Sequence, residues 1–161
     1  MKVLVIPDIH LKPHIFNRAD EILKKGLADT AVCLMDIPDD WGQQMNINLY
    51  KETYDRVIKF EADHPDTHWC WGNHDISYIW GKLETGYSPY AERTVIDGID
   101  SLEKKIDKLA DISHINFVQR IDNVIFCHGG LCEEFVLALN LKVRNIDKIL
   151  EAVNGAPKEL M

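Results

Sequence analysis

Val3-Leu4-Val5-Ile6-Pro7-Asp8-Ile9-His10 is an apolar run that ends in a carboxylate and an imidazole. The same pattern returns three times. Ala31-Val32-Cys33-Leu34 leads into Asp36, Asp39 and Asp40, Trp69-Cys70-Trp71 leads into Gly72-Asn73-His74-Asp75, and Val124-Ile125-Phe126-Cys127 leads into His128-Gly129-Gly130. Short apolar runs bounded by Pro, Gly and Asp read as buried strands. Open α/β sheets bind their ligands beyond the carboxyl ends of such strands, so the four runs predict one site built where strands end.

Amphipathic segments separate the runs. Residues 17–26 place Ala19, Ile22 and Leu23 on one face and stop at Gly26. Residues 47–62 repeat the spacing and end at His64-Pro65-Asp66, and residues 101–109 predict a third helix with Ser101 as a possible cap. Residues 115–119 and 124–127 flank Asp122-Asn123 and predict an antiparallel hairpin, followed by helices over 133–141 and 146–153. No repeat or interdomain linker interrupts the 161 residues, so a single domain over 1–161 is expected.

Composition narrows the class. A net charge of -8 argues against a nucleic-acid partner, because affinity for a phosphate backbone comes from Lys and Arg. No run is long enough to span a membrane, and the first residues read as a strand and not as a signal peptide, so a cytoplasmic location is the expectation. The four cysteines lie in or beside apolar runs without C-x-x-C spacing and read as thiols in a reducing compartment.

The polar residues at the strand ends suit a dinuclear metal site. In an extended chain Asp8 and His10 face one side and converge on one ion. Asp36 has two carboxylate oxygens and can bridge two ions about 3.5–4 Å apart. Asn73 adds an amide oxygen and His128 an imidazole. Mixed nitrogen and oxygen donors favour first-row ions over calcium. Trp41, Tyr78, Trp80, Tyr87 and Tyr90 flank these blocks and read either as a substrate pocket or as packing. His14, His64, His68 and His114 read as surface or loop residues, and Arg93 is a weaker candidate for a phosphate ligand.

Asp8-x-His10, Asp36-x-x-Asp39, Gly72-Asn73-His74-Asp75 and His128-Gly129-Gly130 resemble the blocks of the calcineurin-like metallophosphoesterases, D-x-H, G-D-x-x-D, G-N-H-D/E and a later His. The His-Gly-Gly-Leu wording is similar to the branch that contains phage and bacterial serine/threonine-type protein phosphatases. The resemblance implies an α/β fold of two packed mixed β-sheets flanked by helices, an α/β/β/α sandwich. It implies metal one on Asp8 and His10, a bridging Asp36, and metal two on Asn73 and His128. His74 would be the general acid and Asp39 its orienting partner. The reaction implied is in-line hydrolysis of a phosphate ester of a small molecule or phosphoprotein by a hydroxide activated between two divalent ions, with Mn expected first and Fe, Zn, Co or Ni as alternatives.

Three departures from that pattern shape the expectation. Met35 stands where the family has Gly before the bridging Asp, and Asp40 stands where the protein phosphatase branch has a phosphate-gripping Arg. None of the seven histidines lies beyond His128, whereas the family completes its shell with a later Gly-His block. The chain is therefore expected to stop before that block, with the second sheet incomplete, its edge open to self-association, and its activity weakened. A noncatalytic binding module or inactive fragment is the alternative.

Overall fold

The computed structural model describes residues 1–107, 115–138 and 145–155. A first sheet takes β1 (Val3–Ile6), β2 (Thr30–Cys33), β3 (His68–Cys70) and β4 (Ile115–Asn116) in that spatial order, all parallel. Val5 lies opposite Val32, Cys33 opposite Trp69, and Cys70 opposite Asn116. Helices α1 (His14–Lys24), α2 (Ile47–Asp63), α3 (Asn73–Trp80) and α4 (Glu92–Asp107) fill the connections, as parallel pairing requires. A second sheet pairs β5 (Val118–Ile121) with β6 (Val124–Cys127) antiparallel around Asp122-Asn123, and α5 (Glu133–Ala138) and α6 (Ile146–Asn154) follow it.

The strand sequences explain the layers. Ala31 and Cys33 point into the core shared with Phe16, Tyr50, Phe60 and Leu102 of the helices, while Val32 between them packs with Cys70 and Ile121 on the opposite face. The central strands β2 and β3 are covered on both faces, which is why they read as apolar runs without alternation, whereas Val5 of the edge strand β1 is 45% exposed. The far face of the second sheet closes on Val118, Val136, Ile149 and Val153. The result is the expected α/β/β/α order, with the first sheet parallel throughout among the described strands.

Three elements differ from the sequence expectation, the first being helix α3, which no amphipathic segment announced. Residues 115 and 116 join the parallel sheet as β4, and only from Val118 does the chain enter the hairpin; Trp71 N–H donates to the Asn116 carbonyl at 3.0 Å and holds that short strand in place. The helix expected from Ser101 begins nine residues earlier at Glu92, with Ser101 in its interior donating to the Asp97 carbonyl at 2.6 Å. Its early turns were obscured by Gly98, a poor helix former whose missing side chain is used here: a Cβ there would lie 2.3 Å from the Tyr54 ring of α2. Leu109, and residues 139–141 of the next expected helix, lie outside the described residues. No described helix is long and apolar enough to cross a membrane.

Candidate metal and catalytic centre

Strands β1, β2 and β3 end side by side, and the segments that leave them fold back on one another. Ile9 N–H donates to the Met35 carbonyl at 3.0 Å, His10 N–H to the Asp36 carbonyl at 2.7 Å, and Leu11 N–H to the Ile37 carbonyl at 3.0 Å. The two segments are thus zipped together although neither is extended. His10, Leu11, Met35, Asp36 and Asp39 all have positive φ, between 41° and 64°. Each such non-glycine residue costs on the order of 1–3 kcal/mol and persists only where its surroundings over-determine it. At Met35 this is the left-handed conformation that a glycine would adopt freely, and the side chain is anchored by complete burial in the core.

Helix α3 opens at the same place. The Asp75 carboxylate, at the third helical position, accepts from Gly72 N–H at 3.2 Å and from Ile37 N–H at 3.1 Å, strapping the segment after β2 to the start of the helix. Burial, reinforced by the negative charge of Asp36, pushes the Asp75 carboxyl up to about 8. His74 N–H donates to Asp36 Oδ1 at 2.9 Å, so a helix N-terminus faces that carboxylate. Gly72 is obligatory here, because a Cβ would fall 2.0 Å from Asp36 Oδ1.

Asp36 is 2% exposed and lies at the centre of two groups of candidate ligand atoms, one with His10 and His74 and one with Asp8 and His128. Its Oδ2 is 3.8 Å from His10 Nε2 and 3.2 Å from His128 Nε2. Asn73 Oδ1 stands 3.1 Å from His128 Nε2. The extended Asp8-x-His10 geometry expected from the sequence does not occur, since β1 ends at Ile6 and His10 turns left-handed; Asp8 Oδ1 lies instead 3.4 Å from His128 Nδ1. Burial raises the Asp36 carboxyl, but the His128 ring together with the His74 N–H and ring outweighs it and holds the group below its ordinary value. Reciprocally, the hydrogen bond to Asp36 lifts the His128 imidazole to about 9 against the cost of burial.

The three histidines are held differently. His10 Nδ1 donates to the Asp39 carbonyl at 2.8 Å and His128 Nδ1 to the Leu34 carbonyl at 2.9 Å, which directs both Nε2 atoms toward Asp36. His74 Nδ1 instead meets the Asp39 carboxylate at 3.1 Å, and that hydrogen bond raises its pKa. Asp39 is 2% exposed, and its other oxygen accepts from Tyr50 Oη at 3.0 Å and Tyr78 Oη at 2.6 Å. A backbone carbonyl behind an imidazole is the support usual for a metal ligand, and the donor set of carboxylate, amide and imidazole fits divalent first-row ions.

All seven residues singled out in the sequence, Asp8, His10, Asp36, Asp39, Asn73, His74 and His128, therefore meet at one place. Of the aromatics, Tyr78 is buried behind Asp39 and Tyr87 stacks on it at 4.4 Å, whereas Trp41 and Tyr90 are exposed and Trp80 packs on Phe117 at 5.9 Å. Arg93 pairs with Asp97 on the exposed face of α4. His14 is exposed on α1, His64 pairs with Asp20 at 2.8 Å, and His114 lies outside the described residues. The supporting roles of Asp75, Tyr50 and Tyr78 were missed; the Gly-x-x-Asp spacing of a helix start signals the first, while nothing local marks the tyrosines. Over residues 1–158 the chain matches the family model for calcineurin-like phosphoesterases. No curated protein and no solved structure matches it.

Proposed function

The chain belongs to the calcineurin-like phosphoesterase family, and on that premise we propose that it hydrolyses phosphate esters with two divalent metal ions held by Asp8, His10, Asp36, Asn73 and His128. Members of this family act on phosphate esters and depend on metal ions. The observation that carries the proposal is the contrast among the histidines: His10 and His128 are braced by backbone carbonyls with Nε2 toward the shared Asp36, while His74 is braced by a carboxylate. Either support occurs behind a metal-bound histidine, but a carboxylate also stabilises the charged imidazole that donates a proton, which suits His74 to proton transfer. Asp36 would be shared between the ions, with His10 on one and Asn73 and His128 on the other. Manganese is the ion we expect to serve, and phosphorylated small molecules or phosphoproteins are the substrates.

Divalent ions at these residues would neutralise phosphate charge and make a water nucleophilic at neutral pH. The protein's own residues supply the remaining steps. As water attacks phosphorus and the bond to the leaving oxygen breaks, His74 gives its proton to that oxygen. Asp39 fixes the His74 ring through Nδ1 and stabilises its charged form, and Tyr50 and Tyr78 fix Asp39 in turn.

Metal analysis of protein purified with Mn, paired with p-nitrophenyl phosphate turnover, tests the proposal. We expect about two equivalents of Mn, and loss of both metal and turnover in Asp36→Asn. Metal content below about a tenth of an equivalent, unchanged by Asp36→Asn, would overturn it. Full metal loading without hydrolysis of any ester would identify a noncatalytic binding module.

A further inference from the structure

Beside the two imidazoles of the centre lies a polar cleft of about 170 Å³ lined by His10, Lys12, Asp40, Trp41 and His74. Among the described residues that line it, Lys12 is the one lysine or arginine. Its ammonium donates to the His10 carbonyl at 3.0 Å and to Asp40 Oδ2 at 3.1 Å. The carbonyl bond anchors it to the backbone of a candidate metal ligand. The side chain is 44% exposed, so the charge faces the cleft and solvent and is not part of the core. Asp40 is itself fixed, because its other oxygen accepts from Trp41 N–H at 2.9 Å.

We propose that Lys12 is a phosphate-binding residue of this cleft, that Asp40 is the counterion it exchanges for substrate, and that the Lys12 charge favours phosphate monoesters over diesters. The inference rests on the phosphoesterase reading and goes beyond it to the substrate class. An ammonium carries three donors and binds phosphate as a point charge. Two of those donors are engaged by His10 and Asp40. When a phosphate oxygen enters beside His10 and His74, Lys12 gives up one carboxylate charge for the charge on that phosphate. With a diester the exchange is one negative charge for one and gains little. With a monoester dianion it is two for one, and electrostatics favour it. Asp40, which stays in place, lowers the affinity for both ligands, and the advantage of the dianion comes from its stronger attraction to Lys12.

The pair makes predictions of opposite sign, which a merely structural ion pair does not. Lys12→Met should raise KM for p-nitrophenyl phosphate about ten- to a hundredfold, with kcat changed less than about threefold and KM for the bis-ester nearly unchanged. Asp40→Asn should lower the monoester KM about threefold or more, because Lys12 is released from its competitor. Lys12→Arg should recover most of the monoester affinity. Calorimetric titration of the Mn-loaded protein with inorganic phosphate needs no turnover, and it should show the same order: Asp40→Asn tightest, wild type next, Lys12→Met weakest. Phosphate affinity that Lys12→Met leaves unchanged, or Lys12→Met and Asp40→Asn shifting affinity in the same direction, would overturn the assignment even in an active enzyme. Absence of wild-type turnover with the expected order of phosphate affinities would instead count against the hydrolase reading and leave the Lys12 site standing.

Discussion

The two sheets contribute to the centre unequally. The parallel sheet and its helices bury a continuous core from Ile6 through Ile115, and this region supplies Asp8, His10, Asp36, Asp39, Asn73 and His74. The two-stranded sheet, with α5 and α6, buries Val118, Val136, Ile149 and Val153 and supplies His128 alone. Along β6 the residues before His128 are partly exposed, Val124 at 53% and Ile125 at 37%. The strained segments that carry Asp36 and Asp39 are cross-braced by backbone bonds and by Asp75, whereas His128 relies on one carbonyl bond and its polar neighbours. Strained backbone is held where the core is deepest, and the lighter layer delivers a single candidate ligand, His128.

The largest effect expected is chemical and lies wholly in the first region. His74→Ala should lower turnover of p-nitrophenyl phosphate about 10²- to 10⁴-fold while leaving metal content intact, and the loss should shrink for esters with better leaving groups. Equal losses across leaving groups would assign His74 to holding the site together.

Next comes Gly72→Ala, which sets a methyl against Asp36 Oδ1. If Asp36 is shared as proposed, displacing its carboxylate by an ångström should cost about 10²-fold in turnover and weaken both metals together. If only one equivalent of Mn is lost, Asp36 is not shared, and the proposed sharing fails.

A truncation in the second region should behave differently. Ile149→Ala empties space in the small core under α6 and should cost about 2–5 kcal/mol there. Hydrogen exchange should speed up in residues 118–127 and 146–154 and leave the parallel sheet protected, with weaker retention of one Mn equivalent only. A uniform rise in exchange across the chain would show that the two regions unfold as one and would break the comparison.

The smallest effect expected is on pH dependence. Burial pushes Glu61, under the parallel sheet, up to about 7, although Trp69 Nε1–H donated to its Oε2 at 2.8 Å pulls the other way. The fold therefore prefers this carboxyl protonated. Its stabilising contribution is fully present below about pH 4.5 and is lost as pH rises through about 7. Glu61→Gln should reduce the fall in melting temperature across that window without abolishing it, because Asp75, pushed up to about 8, contributes in the same sense. The buried carboxylates among the described residues, Asp36, Asp39, Glu61 and Asp75, all belong to the first region, so this carboxyl-linked loss of stability should be read there.

The sequence by itself determined much of this protein. Apolar runs marked three strands of the parallel sheet and β6, and helical periodicity marked α1, α2 and α6, because those patterns follow burial in most of these elements. The residue types after each run named the candidate donors that the structure brings together. Tertiary structure decided what local pattern does not encode. The split at Phe117, which assigns Ile115 to one sheet and Val118 to the other, depends on which strand edge is already in place. The start of α4 depends on a tyrosine from another helix filling the space over Gly98. The partners of Asp8, the tyrosines behind Asp39, and the ammonium beside Asp40 are set by left-handed turns at His10, Met35 and Asp36. A run of residue types cannot show such turns, because they are strained alone and become stable only when the segments leaving β1 and β2 bind each other.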